Sequence, residues 1–382
     1  MSQHFIPAVF YRGGTSKGVF FSASQLPTDR DRCSAILLAA LGSPDPYGRQ
    51  LDGMGGGISS LSKAVIIGPS THPDADVDYT FVQIAVDEPV ADWSNNCGNL
   101  SSAVGHFAVD EGLVPASDGE VLVRIHQTNT KKLIHSRFQV RAGKAETAGD
   151  YVIAGVAGAA SRIRLDFLEP AGAVTGKLLP SGRVLDHADL GSEGRFELSI
   201  VDATSLIVYV DATAFGFDGS ETPDEIEARP GVMAILEKLR RYAGVMIGLG
   251  PTPDSIGLQT PRIAMVAAPR PFTGLDGERH GEDAFDIATR MISMQRAHRA
   301  IPGTGGLNLG VATQIEGTLP NRLSRPANTA GEVRVANPSG LVSVGAVVRH
   351  AGDGWMADSA VLFRTARRLM QGEIAVPSSL AR

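Results

Sequence analysis

Cysteine is scarce in this chain: Cys33 and Cys97 are the only two in 382 residues, too few for a disulfide framework in a protein of this size. A reducing, cytoplasmic setting is the expectation. Long apolar runs are missing as well, none reaching the ~18 residues of a membrane span, and the start of the chain enters strand-like Phe5-Ile6-Pro7-Ala8-Val9-Phe10 without the basic and apolar regions of a secretory leader. No membrane partner is expected. Lys and Arg nowhere cluster and the formal net charge is -6, which argues against a nucleic-acid surface.

What the chain has in quantity is glycine: 44 residues, about 12% against a usual ~7%. That predicts many tight turns and places where backbone approaches backbone or ligand. The 43% apolar and 20% charged content is that of a globular protein, and the length suits two domains of ordinary size.

The chain is organised around Asn96-Cys97-Gly98-Asn99-Leu100-Ser101-Ser102-Ala103-Val104-Gly105-His106-Phe107-Ala108. A polar, glycine-containing turn here opens directly into a nearly all-apolar helix, which places Cys97 and the free N–H groups of Gly98 and Asn99 at the helix's positive end. A thiol there is expected to be reactive. A helix this apolar must be surrounded by protein, with its N-terminus facing a cleft. Cys33, in the amphipathic stretch Asp31 to Leu38, reads as packing.

Taken in order, the first half predicts a strand over 5–11, the turn Arg12-Gly13-Gly14-Thr15-Ser16-Lys17-Gly18, a strand at Val19-Phe20-Phe21 and a helix over 28–41 capped by Thr28 or Asp29. A glycine-rich loop over 48–57 leads through Ser59-Ser60-Leu61-Ser62-Lys63 to a strand at Ala64–Ile67. Such a loop is either flexible or folded around a ligand. Further strands are expected over 78–90, 120–125 and 133–140. The His72-Pro73-Asp74-Ala75-Asp76-Val77-Asp78 cluster reads as a solvated turn, its proline and spacing being wrong for a metal site.

The second half repeats the first. Thr15 to Phe21 aligns with Thr204 to Val210, Lys63-Ala64-Val65-Ile66 with Arg262-Ile263-Ala264-Met265, Gly98 with Gly303, Gly105 with Gly310, and Val123-Arg124-Ile125 with Val333-Arg334-Val335. This pattern predicts a duplicated α/β unit, residues 1–184 and 185–382, with the last strand free to return to the first half. Two like units facing each other would bring two buried helix N-termini toward one cleft, suited to an anion. Only one thiol would face it, because Pro302 stands where the first half has Cys97.

Several stretches together resemble the PrpF family: Arg12-Gly13-Gly14-Thr15-Ser16-Lys17-Gly18, Gly42-Ser43-Pro44-Asp45-Pro46-Tyr47-Gly48, Gln50 with Asp52-Gly53-Met54-Gly55-Gly56, Ser62-Lys63, Asn96-Cys97-Gly98-Asn99 and Pro338-Ser339-Gly340. The resemblance implies the diaminopimelate-epimerase-like fold, α/β (α+β), with two pseudo-symmetric domains each wrapping a curved sheet around a central buried helix. Its members include 2-methylaconitate cis–trans isomerases, 4-oxalomesaconate tautomerases and 3-methylitaconate delta-isomerases. They share a proton shift along an allylic di- or tricarboxylate, with no metal or organic cofactor.

By that resemblance Lys63 and Cys97 are the catalytic pair. The candidate substrate-binding set is Thr15, Ser16, Lys17, Gly56, Gly57, Ser62, Asn96, Gly98, Asn99, Pro338, Ser339 and Gly340, with Arg262 added as the pseudo-symmetric partner of Lys63 and Gly303, Thr304 and Gly305 as the counterpart of the Cys97 turn. A desolvated lysine can serve as the base, and helix N-terminal N–H groups can stabilise the dienolate it creates. Two departures bear on the substrate: Asn337 stands where His commonly precedes the closing Pro, and His106 where Pro is common. The wording Ser43 to Gly48 with Asp92-Trp93 looks most like the methylaconitate branch, which serves the 2-methylcitrate cycle of propionate catabolism; oxalomesaconate enzymes are the alternative. A different class would be a non-catalytic carboxylate-binding accessory protein, against which the retention of Lys63 and Cys97 argues. A homodimer and a functional link to an aconitase-like dehydratase are the protein partners to look for.

Overall fold

The computed structural model describes residues 3–94, 96–328, 331–352 and 354–380. The chain divides into two compact units, residues 1–167 with 363–382, and residues 168–362. The break falls earlier than the expected 184/185 because the intervening loop is tied to the second unit: Gly172 N–H donates to Asp202 O at 2.8 Å, Thr204 N–H to Pro170 O at 2.7 Å, and the Asp202 carboxylate takes the N–H of Thr175 at 2.6 Å.

In unit 1 the strands β1 (Gln3–Gly13), β2 (Ser16–Ser22), β3 (Lys63–Pro69), β4 (Val77–Ile84), β5 (Gly119–Gln127), β6 (Lys132–Arg141) and β7 (Ile163–Leu168) lie side by side in that order. Neighbours run antiparallel except β2 with β3 and β4 with β5. The C-terminal strand Ala366–Pro377 pairs antiparallel along β1, from Gln3 opposite Pro377 to Gly13 opposite Ala366. The strand expected over 78–90 stops at Ile84, where Ala85 N–H turns back to Val90 O at 3.0 Å.

Alternation along these strands gives the sheet two apolar faces. Val19 and Phe21 of β2, Ala64 of β3 and Val82 and Ile84 of β4 pack with Ile36, Leu37 and Leu41 of helix α1 (Arg30–Leu41). That helix starts where Asp29 accepts Arg32 N–H and ends at left-handed Gly42. The opposite face surrounds α2 (Ser101–Asp110), which is buried from Ser101 through Val109, its Phe107 ring packed with Tyr11 and Phe20. Cys33 belongs to the α1 layer, and burial pushes its thiol up to about 11.

Unit 2 repeats the connectivity. Its strands are β8 (Asp186–Asp189), β9 (Arg195–Ala203), β10 (Ser205–Asp211), β11 (Arg262–Ala267), β12 (Ile287–Ser293), β13 (Glu332–Asn337), β14 (Gly340–Ala351) and β15 (Gly354–Arg364), the last two residues of which, Phe363 and Arg364, fall in unit 1. They also lie in chain order, antiparallel except β10 with β11 and β12 with β13. One face carries α3 (Pro223–Ala228) and α4 (Val232–Met246), whose Leu236 and Leu239 pack with Val208, Val210 and Met265. α5 (Gly303–Gln314), buried from Gly305 to Thr313, has Asn308 accepting from Tyr209 Oη at 2.7 Å and donating to Val201 O at 2.9 Å and Ser205 O at 2.6 Å. Register is matched too: Val19 stands opposite Ala64 in unit 1, and Val208 opposite Ile263 in unit 2.

Candidate active site

Lys63 is the first residue of β3 and stands opposite Gln83 of β4. Both side chains project with Tyr79 and Phe81 onto the face that surrounds α2. The amine donates to Gln83 Oε1 and lies 5.1 Å from the Phe81 ring centroid. Gln83 Nε2 donates to Ser62 O at 2.8 Å and Ser59 O at 3.0 Å, so only the carbonyl end of its amide can face the lysine. Lys63 is 8% exposed. Burial lowers its amine from the usual 10.5, and a thiolate at neighbouring Cys97 pulls in the opposite sense. Among the described residues no carboxylate pairs with it, so nothing of that kind opposes the shift that burial imposes toward the neutral amine.

Cys97 sits in the turn that leads into α2, four residues before the first helical residue, Ser101. The turn Gly98–Leu100 intervenes, and the helical hydrogen-bonding pattern reaches back through it: Ser101 N–H and Oγ–H both donate to Cys97 O at 3.0 Å, and Tyr79 Oη–H adds a third donor at 3.3 Å. Asn99 O is likewise taken by Ser102, at 2.6 Å from its Oγ. With the carbonyls satisfied, the N–H groups of Gly98, Asn99 and Leu100 have no backbone acceptor among the described residues and are available to an anion. Asn96 Oδ1 accepts Ser101 Oγ–H at 3.4 Å. The thiol is half-buried.

The glycines of the 12–18 turn are explained by what they touch. A Cβ on Gly13 would stand 2.7 Å from Asn99 O, one on Gly18 2.8 Å from Lys63 O, and one on Gly14 2.3 Å from Asn99 Oδ1. Gly14 also has φ +53°. The turn is therefore pressed against Lys63 and against the Asn99-Leu100 segment that follows Cys97. Thr15 Oγ1 accepts from Asn99 Nδ2 at 3.1 Å, and Ser16 is buried on the same face as Gly18. Lys17 is not gathered with them: alternation turns it to the α1 face with Val19, and its amine lies 5.7 Å from the Phe10 ring.

The glycine loop also differs from expectation. Gln50, 1% exposed, fills its centre, donating to Ser43 Oγ and Ser62 Oγ at 2.7 Å each and accepting Gly57 N–H at 2.9 Å. Gly55 and Gly57 lack side chains because a Cβ would strike Gln50 Oε1 at 2.2 Å and Gly48 O at 2.4 Å. Gly57 and Ser62 thus spend their polar groups on the loop, while Gly56, exposed, faces Leu61. The loop is folded around Gln50. Pro338-Ser339-Gly340 is a hairpin turn: Asn337 Nδ2 donates to Gly340 O at 2.9 Å, Ser339 Oγ–H to Arg299 O at 2.6 Å, and Pro338 O accepts Leu275 N–H at 2.8 Å.

Arg364 was not foreseen. It follows β15's apolar run, and a lone arginine there carries no signal in one sequence. Its Nε donates to Asn99 Oδ1 at 3.0 Å and its Nη1 to Phe363 O at 2.9 Å. Burial lowers it from the ordinary arginine value while Tyr151 and Cys97 act against that, and it stays a cation at neutral pH.

Unit 2 builds a smaller polar group at the start of α5. Arg262 Nη1 donates to Thr304 Oγ1 at 3.2 Å, and Thr204 Oγ–H to Thr304 O at 2.9 Å. The N–H groups of Gly303, Thr304 and Gly305 open the helix, the first helical bond being Gly306 N–H to Pro302 O at 2.9 Å. His298, also unforeseen, is lowered first by burial and then by Arg262.

Unit 1 thus holds a partly desolvated amine and a thiol on one face, with backbone N–H donors beside the thiol. Such a set can take a proton from carbon next to an electron-withdrawing group and hold the resulting anion.

Comparison with known proteins agrees. Residues 3–377 match the model of the PrpF protein family. The chain is 40% identical over 375 residues to 3-methylitaconate isomerase of Eubacterium barkeri, with 97% of each chain covered. It is 37% identical over 385 residues to 2-methyl-aconitate isomerase of Cupriavidus necator, again with 97% of each covered. The crystal structure of methylitaconate-delta-isomerase matches with a TM-score of 0.92 at 38% identity, covering 100% of this chain and 97% of that one. The chain belongs to the PrpF family of isomerases.

Proposed function

We propose that the Lys63–Cys97 face of unit 1 moves a proton along the allylic system of an unsaturated di- or tricarboxylate, 2-methylaconitate in the first instance. The observation that carries this reading is the buried Lys63 amine, held by a neutral amide and by no carboxylate among the described residues. Neutral Lys63 takes a proton from the carbon adjacent to the conjugated double bond. The released electron pair moves through that double bond into a carboxylate, giving a dienolate whose oxygen accepts from the N–H groups of Gly98, Asn99 and Leu100. The former double bond is now single in character and can rotate. Reprotonation comes from the Lys63 ammonium, or from the Cys97 thiol with a later proton transfer from Lys63 to the thiolate.

Asn96, Thr15 and Ser16 belong to this substrate face, and Arg262 with Thr304 and Gly303–Gly305 forms a second carboxylate-binding group in unit 2. The Ser43 to Gly48 wording with Asp92-Trp93 favours 2-methylaconitate. The relatives named for 3-methylitaconate stand at similar identity, so methylitaconate is the competing substrate. The same reading calls for a cytoplasmic protein, a homodimer, and an aconitase-like dehydratase acting on the same acids.

Proton NMR in deuterated water of the purified protein with 2-methyl-trans-aconitate, 3-methylitaconate and 4-oxalomesaconate tests it. Deuterium should enter the allylic carbon of one acid as its isomer forms. Absence of exchange with all three would remove the reading.

A further inference from the structure

Most of the arginines that are at least partly buried have a carboxylate: Arg240 has Glu237, Arg334 has Asp286, Arg164 has Asp166 and Arg368 has Glu111. Arg364 has none among the described residues. Its Nε is committed to Asn99 and its Nη1 to Phe363 O, while Nη2 has no partner among the described residues and is not sealed in the core. A desolvated guanidinium without a counter-anion is costly unless something anionic joins it.

The surroundings are built to hold that guanidinium where it is. Asn99 uses its oxygen for Arg364 and its Nδ2 for Thr15 Oγ1 at 3.1 Å, which fixes the amide's orientation and leaves the Thr15 hydroxyl proton free to donate outward. Gly14 provides the room: a Cβ there would stand 2.3 Å from Asn99 Oδ1 and 3.0 Å from Arg364 Cδ. The chain Arg364–Asn99–Thr15 therefore borders the Cys97-Gly98-Asn99 turn, close enough for Cys97 and Arg364 to act on each other electrostatically. Guanidinium is also the cation whose fork matches a carboxylate.

We propose that Arg364 is a substrate-binding residue of the unit 1 site, its free Nη2 and the Thr15 hydroxyl receiving one substrate carboxylate beside Cys97. This rests on the reading that the substrate is a polycarboxylate. It assigns the anchoring cation to Arg364 instead of Lys17, the basic residue that the sequence offered.

Succinate and its monoamide, succinamate, test the assignment as protectants of Cys97 against iodoacetamide, followed by mass spectrometry of the Cys97 peptide with buried Cys33 as internal control. In the wild type, succinate should protect at concentrations about 10–100-fold below succinamate, the worth of a charge-assisted carboxylate pair. In Arg364→Met the two should protect alike. With the exchanging acid as substrate, Arg364→Met should raise KM by a similar factor and leave kcat within about threefold. Should that variant fail to fold, Arg364→Lys carries the test: it keeps the charge and loses the fork, and protection by succinate should weaken about tenfold.

A succinate preference retained in Arg364→Met overturns the proposal, as does protection in Arg364→Lys equal to wild type. A fall in kcat with KM unchanged overturns it too, because the arginine would then act only by positioning Asn99 and Cys97. So does wild type unprotected by succinate at tens of millimolar. Protection needs no turnover, so a protein that exchanges no acid yet keeps the succinate preference would fail the isomerase reading and uphold Arg364. Normal turnover with unchanged KM in Arg364→Met would do the reverse.

Discussion

Lys63 and Gln83 face each other across two antiparallel strands, and the glutamine amide, pinned by the carbonyls of Ser59 and Ser62, can present only its oxygen to the amine. That acceptor favours the ammonium, and burial favours the neutral amine, so removing the acceptor should lower the amine further. In Gln83→Leu the rising limb of deuterium exchange against pH should move to lower pH. Cys97→Ser should move Lys63 in the same direction, since the thiolate's opposing pull is lost. Carbon-13 NMR of reductively methylated lysine reads the amine directly; a Lys63 resonance titrating at higher pH in either variant would contradict this.

Lys63→Met should leave the fold intact and lower substrate deuterium exchange by about 10²–10⁴-fold, the usual worth of a general base. Lys63→Arg should not recover it, because guanidinium remains protonated. Exchange by Lys63→Met at the wild-type rate would take the lysine out of the mechanism and leave Cys97 as the base.

Gly18→Ala places a methyl group 2.8 Å from Lys63 O, a backbone atom that cannot swing away. Overpacking of this kind costs about 1–3 kcal/mol. The same displacement moves the catalytic strand, so exchange should fall by more than the stability loss implies. Gly257→Ala meets no atom within 4 Å and should change neither. Urea unfolding and exchange rates on the two variants give the comparison.

His106 is buried on α2 against Phe138, with Nε2 lacking a partner among the described residues. Burial lowers it from 6.5 to about 4, with Asp110 opposing and Arg12 and Arg368 adding to the shift. The folded state therefore stays neutral while the unfolded chain binds a proton below 6.5. Stability is unaffected above that value and is lost as pH falls from 6.5 toward 4, by about 2 kcal/mol between pH 7 and 5. Chemical denaturation at both pH values should show His106→Leu losing that much less than wild type.

Legibility followed the range of the interaction. The buried α2, the strand starts at Lys63 and Arg262, and the Asp29 cap come from local patterns, and all are found. The two halves' alignment even lands on matched register, because strand pairing carries along the chain whatever spacing the turns set. What local patterns do not register is decided across space. Lys17 is turned away by the parity of β2, and Gly57 is engaged by a glutamine seven residues before it. Arg364 meets Asn99 from 265 positions away, which no single-sequence pattern registers.

The pairing of β1 with the strand Ala366–Pro377 makes unit 2 an insertion within unit 1. During synthesis, residues 3–167 emerge well before their last strand, and all of unit 2 must be translated in between. The long side of β1 stays unpaired throughout that interval, an exposed edge that a chaperone or another nascent chain can reach. Unit 2 is contiguous and can complete its sheet first. The order of maturation is thereby reversed along the message: the half encoded first is finished last.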